Sequence, residues 1–221
     1  MHCIYKILGE DTLKDIKRRA RNPETGKSYL VPGDMSYKEW YDKYVVDKYG
    51  KDKAKQLEKQ IKNQSSDKKQ FEEYKNILGK NSPKTLKDFQ EIKYNNLEDW
   101  NKLKRDYIDS NRYNKIIKNS DTLNIKGIPI KNIDRIDLTE FEFDYDHINN
   151  ERNHGVTKEM AQEFINSSKA AYSRWNGQVV VYVSENGCSV VNLKDKKVNT
   201  AYKNDEYDNK FKKLMEVLKD D

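Results

Sequence analysis

The run QVVVYVS at residues 178–184, then Asn186-Gly187, then CSVVNL at 188–193, constrains this chain more than any other segment. β-Branched side chains crowd a helix but fit a pleated strand, and Asn-Gly tolerates the positive φ values of a tight hairpin turn. The two runs therefore predict an antiparallel hairpin. Asp195-Lys196-Lys197 turns the chain again into a third strand at 198–202, VNTAY. A sheet of this kind needs one apolar face covered, and the neighbouring pattern supplies helices to cover it. Thr157 stands as an N-cap ahead of a helix whose buried face is Met160, Ala161, Phe164 and Ile165. Tyr207, Phe211, Leu214, Met215 and Leu218 mark a last amphipathic helix. Phe141, Phe143 and Tyr145 alternate with acidic residues as in a strand. Asp146 is placed to cap a short helix through Arg152, which Gly155 ends. Residues 119–221 thus read as a small α+β domain, an antiparallel β-meander of three or four strands packed with helices.

Residues 1–118 read as a basic, mostly helical arm. Hydrophobic residues make up 35 % of the chain and charged residues 36 %, too thin an apolar supply for one core through all 221 residues. Residues 11–21 form an amphipathic stretch that Asp11 can cap, and Asn22–Gly26 and Pro32-Gly33-Asp34 are turns. Ser36, with Glu39 three residues later, has the form of a capping box, and Tyr37, Trp40, Tyr41, Tyr44 and Val45 follow at helical spacing. Residues 47–76 are one long solvated helix or two, broken near Ser65-Ser66. Leu86, Phe89 and Ile92, then Leu97, Trp100, Leu103 and Tyr107, mark two more helices. Residues 118–136 mix Asn, Gly, Pro and Ile, and read as a linker into the second domain.

Charge separates the halves. Residues 1–120 hold 28 Lys/Arg and 19 Asp/Glu, whereas 121–221 hold 15 and 18. A basic surplus of this kind attracts polyanions through counterion release, and it also simply keeps helices solvated. Cys3 and Cys188 form neither a CxxC pair nor a disulfide framework, so a reducing compartment fits. No signal peptide and no membrane-spanning segment is expected.

His2-Cys3 and then RNPETGKSYLVPGDMSYKEWYDKYV, residues 21–45, resemble the end of the head-morphogenesis (MuF-like) domain of phage minor head proteins. LGKNSPKTLKDFQEIKYNNLEDWNKLKRDY, residues 78–107, resembles the helical extension that follows it in many such proteins. The order of the motifs is kept, in pieces over roughly residues 2–113, while most of the head domain is missing. Residues 121–221 resemble the barnase–EndoU–colicin–RelE-like nucleases found at the ends of phage head proteins. That resemblance rests on a His-bearing helix, a capped helix, a β-meander and a Thr-x-Tyr on the last strand. It implies a phage or prophage origin, the bacterial cytoplasm or a phage virion as location, a toxin-like nuclease, and an immunity or antitoxin protein as partner.

The residues that could carry chemistry are His147, Glu151, Arg152 and His154, within HINNERNH, together with Thr200 and Tyr202. A continuous helix would put His147 and His154, seven apart, on one face with Glu151 between them. Thr200 and Tyr202 share a strand face because strand side chains repeat every two residues. Metal-independent RNA cleavage needs such a set: a base for the ribose 2′-OH, an acid for the leaving 5′-oxygen, and donors for the phosphorane charge. The expected roles are His147 as base and His154 as acid, with Glu151 as orienter or second base. Arg152, Thr200 and Tyr202 would be phosphate donors, and the product a 2′,3′-cyclic phosphate. The substrate class is RNA, with tRNA among the candidates. No cofactor and no metal site is expected, since HExxH spacing, a Walker loop, a GxSxG elbow and a dinucleotide fingerprint are all missing. The same residues also fit an ordinary polar surface. The alternative is then a non-catalytic head-assembly accessory or binding module, with portal or capsid protein as its partner.

Overall fold

The computed structural model describes residues 15–22 and 26–219, so Cys3 and the Asp11 cap lie outside the described residues. The chain divides into two compact units, Met1–Lys75 with Ser82–Trp100, and Asn76–Asn81 with Asn101–Asp221. The division falls ahead of the boundary at 118 read from composition. The physical reason is that Ile116 and Leu123, in the segment read as arm and linker, are buried in the core of the second unit.

In the first unit, β1 (Lys17–Arg21) pairs antiparallel with β2 (Ser28–Pro32). Within the amphipathic stretch at 11–21, Lys17–Arg21 is therefore a strand. Its turn draws it into a hairpin: Gly26 N–H donates to the Asn22 carbonyl, and Asn22 N–H to the Lys27 carbonyl, both at 2.9 Å. The capping box forms as its residues dictate. Ser36 N–H donates to Glu39 Oε2 at 2.7 Å, Glu39 N–H returns to Ser36 Oγ at 3.1 Å, and α1 (Tyr37–Tyr41) starts there. A π-helical turn (Asp42–Val46) and α2 (Asp47–Tyr49) continue it, and Val45 packs with Ala54 and Leu57 of α3 (Lys51–Lys62). The break before α4 (Gln64–Leu78) comes at Asn63 rather than at Ser65-Ser66. Asn63 suits a helix end because its short amide bonds outside the helix, donating to Tyr94 Oη at 3.0 Å.

α5 (Leu86–Asn95) starts on a second capping box, between Thr85 and Asp88, and α6 (Leu97–Lys118) follows. Phe71, Tyr74, Phe89 and Trp100 form an aromatic cluster with ring centroids 5.4–5.9 Å apart. Beside it the Asp67 carboxylate is fully buried, and Lys93, Gln90 and Tyr94 all donate to it. Lys93 Nζ lies 2.7 Å from Oδ1.

The second unit is built on a six-stranded sheet in the order β3-β5-β6-β7-β8-β4. β5 (Ala170–Arg174), β6 (Val179–Val183), β7 (Gly187–Asn192) and β8 (Lys197–Lys203) form the antiparallel meander. β3 (Ile128–Pro129) adds antiparallel at one edge and β4 (Glu142–Phe143) adds parallel to β8 at the other. The expected strand at 141–145 is thus only two residues long, because Tyr145 already has helical dihedrals.

Both faces of the sheet are covered, not one. Val180, Tyr182, Val191, Val198 and Ala201 face Ile148, Ala161, Phe164 and Ile165, the last three from α8 (Lys158–Asn166). Val181, Val183, Cys188 and Tyr172 face Ile116, Leu123, Phe211, Leu214 and Leu218, from α6, α7 (Ser120–Leu123) and α9 (Asn209–Val217) with its C-cap. An unbroken Val-rich strand, buried at every position, is what a sheet wetted on neither side requires. Thr157 caps α8, accepting from Met160 N–H. Gly187 has no room for a side chain, since a Cβ there would run into the Phe164 ring and the Tyr202 carbonyl.

Burial alone would push the pKa of the Asp67 carboxyl up, but the bonds from Lys93, Gln90 and Tyr94 outweigh it and hold the carboxyl below its ordinary value of 3.8. A depressed folded-state value stabilises the fold above pH 3.8, and that contribution is lost as pH falls through the folded value. In urea titrations the wild type should therefore lose stability below pH 3.8 more steeply than Asp67→Asn, whose curve should be flatter there. Parallel curves for the two proteins would contradict this.

Candidate active site

The His-bearing segment is short and irregular. Asp144 carries out the capping expected of Asp146: its Oδ1 accepts His147 N–H at 3.3 Å, and its carbonyl accepts Ile148 N–H at 2.9 Å. The Asp146 carboxylate instead accepts from the Asn150 side chain at 2.7 Å. The helix is π-wound over Asp146–Glu151 and anchored to the core by fully buried Ile148. It ends at Glu151, so a continuous helical face carrying both histidines does not exist. Asn153 (φ 57) and Gly155 (φ 59) turn the chain through left-handed conformations, and His154 lies between them. The Asn149 side chain closes this loop by donating Nδ2 to the Val156 carbonyl and accepting Val156 N–H, both at 2.9 Å.

The loop nevertheless brings the histidines together with the strand residues. His147, Arg152, His154, Thr200 and Tyr202 line one cavity of about 320 Å³, joined by Glu206 and Asp208. Five of the six residues singled out in the sequence thus converge. The sixth, Glu151, does not line the cavity, but its Oε2 lies 2.9 Å from His147 Nδ1. Thr200 and Tyr202 reach the cavity from β8, next to a bulge where Val190 pairs Thr200 and Val191 pairs Val198.

Glu206 and Asp208 escape a reading by sequence because they sit beyond β8, where an acidic pair looks like surface. Glu206 Oε2 lies 2.7 Å from His154 Nδ1. Asp208 Oδ1 accepts the N–H groups of Lys210 and Phe211 at the start of α9. Its charge is therefore partly offset by the helix N-terminus.

Each histidine thus has a carboxylate at Nδ1. An ionised carboxylate only accepts, so Nδ1 carries the hydrogen and Nε2 is left for chemistry. The His154 side chain is 15 % exposed and that of His147 is 36 % exposed. The His154 ring lies 5.6 Å from that of Tyr202. Burial, and secondarily the neighbouring Cys188, push the Tyr202 phenol above its ordinary value. It stays protonated and able to donate at neutral pH. Lys197 Nζ, 2.7 Å from Asp144 Oδ2, ties the start of the histidine helix to β8. That bond lowers the Asp144 carboxyl and raises the Lys197 ammonium, so both stay charged near neutrality. Among the described residues no group of three or more His, Cys, Asp and Glu is placed to hold a metal ion.

No family model matches the chain, and no curated protein or solved structure was found to be similar to it.

Asn149→Ala removes both bonds that close the His154 loop and should cost about 1–3 kcal/mol in denaturant unfolding. An unchanged unfolding midpoint would show that the loop closes without them.

Proposed function

We propose that the second unit is a metal-independent endoribonuclease, phage- or prophage-encoded and toxin-like in use. The convergence of two carboxylate-oriented histidines, an arginine and two hydroxyls on one cavity carries this reading. His147 Nε2, oriented by Glu151, takes the proton of the ribose 2′-OH. The 2′-oxygen attacks phosphorus and the bond from phosphorus to the 5′-oxygen breaks. His154, oriented by Glu206, protonates the leaving 5′-oxygen. The products are a 2′,3′-cyclic phosphate and a free 5′-OH. Arg152 offers a bidentate fork to the phosphoryl oxygens, and Thr200 and Tyr202 donate hydroxyl hydrogen bonds as charge builds on them.

The cavity carries carboxylates, which a polyanion would avoid if they were free. They are not free: Glu206 faces His154, and Asp208 caps a helix. This supports a site whose acidic groups orient its histidines and leave phosphate to Arg152. The phage origin and an immunity partner rest on the sequence resemblance alone.

Purified full-length protein should cleave total bacterial RNA in EDTA and leave cyclic phosphate ends. His147→Ala and His154→Ala should each slow cleavage about 10²–10⁴-fold, the usual contribution of a general acid or base. A folded wild type that leaves RNA intact would sink the reading and move the unit to a binding role in head assembly.

A further inference from the structure

Strand alternation sorts the side chains of the β1–β2 hairpin of the first unit onto two faces. Its strands are KRRAR and SYLVP, with no acidic residue in either. Lys17, Arg19 and Arg21 are exposed, while Arg18 and Ala20 between them are half-buried. Across the ladder they pair with Pro32, Leu30 and Ser28, which are exposed too. One face of the ribbon is therefore a row of three cations flanked by small or apolar side chains.

The opposite face is held down. Val31 is buried, Arg18 donates to the Met35 carbonyl, and Trp40 Nε1 donates to Tyr29 Oη at 2.6 Å. The cations thus stand on a backbone that is itself fixed. Among the described residues none of the three forms an ion pair. Alternate strand residues are about 6.7 Å apart. That is close to the step between successive phosphates of an extended nucleic-acid strand, so each cation can meet its own phosphate.

We infer that this ribbon face is a docking surface for the phosphate backbone of single-stranded RNA. Charge complementarity and spacing favour a polyphosphate over an acidic protein surface, whose carboxylates have no fixed repeat. The choice of RNA rests on the cleavage reading above. On one chain with a cleaving unit, the ribbon would raise the effective concentration of RNA at that unit. It is read by binding, so it is tested separately from cleavage.

The test uses the full chain carrying His147→Ala, so that any RNA survives the measurement. A short fluorescent single-stranded oligoribonucleotide is titrated by anisotropy between about 50 and 200 mM salt. Adding Lys17→Ala, Arg19→Ala and Arg21→Ala should weaken binding at least about tenfold at low salt. It should also reduce the slope of log affinity against log salt by about 2, since each lost phosphate contact on a single strand removes about 0.7. The charge-keeping variant Arg19→Lys with Arg21→Lys should hold the slope of the parent. Equal affinity and slope for the parent and the alanine variant would overturn the inference. So would competition by poly-glutamate as strong as that by unlabelled RNA, because an acidic protein would then fit the face equally well. Ribbon-dependent binding by a protein whose wild type leaves RNA uncut would sustain the ribbon and reject the nuclease.

Discussion

The second unit depends on a sheet that is apolar on both sides. Every residue of β6 is buried, and alternate valines serve opposite layers of helices. Hydrophobic burial is non-directional, so by itself it would hold the layers together without setting their register. Register comes from bonds that cross the layers. Ser189 Oγ donates to the Ala161 carbonyl at 2.9 Å and fixes α8 against β7. Tyr207 Oη donates to the Ser184 carbonyl at 2.8 Å and fixes the approach to α9. Arg135 spans the Asp109 carboxylate at 2.8 and 2.9 Å and the Ser168 carbonyl at 2.9 Å. Ser189 and Tyr207 are satisfied inside the core, where an unpaired polar group would be costly.

The candidate site grows on the edge of that sheet. β8 presents Thr200 and Tyr202, and the Asp144–Lys197 pair draws the histidine helix to the same strand. The Asn149 clasp on Val156 then places His154 by backbone closure, not by helical periodicity. Carboxylates complete the arrangement from two directions, Glu151 from within the helix and Glu206 from the far end of β8. A site assembled from separate segments in this way owes its geometry to the rigid sheet beneath it.

The first unit is organised differently. Its apolar residues form small clusters around aromatic rings, and its most buried charge, Asp67, is held by three donors from α5. Removing one partner of such a buried pair is strongly destabilising, because it leaves the other charge buried and uncompensated. Little of the lysine-rich surface contributes to that core. The exception in form is the β1–β2 ribbon, where strand alternation sorts cations to one face and packing groups to the other.

Local chemistry determined a good deal of this protein by itself. The β-branched runs made β6, β7 and β8, and Ser36–Glu39 and Thr157 started helices where their side chains could cap them. His147, Arg152 and His154 were legible because two of the chain's three histidines fall within one eight-residue segment, and Thr200 and Tyr202 because alternate strand residues share a face. Other features belong to the tertiary structure. Lys17–Arg21 became a strand because a partner strand lay one turn away, against a helical-looking pattern. Ile116 and Leu123, which look like arm and linker when only sequence neighbours are considered, join Phe211, Leu214 and Leu218 in covering the second sheet face. Glu206 and Asn149 gained their roles through contacts 52 and 7 residues away along the chain. Periodicity and capping act within a few residues and so are written locally, whereas a cavity is closed by residues that only folding makes neighbours.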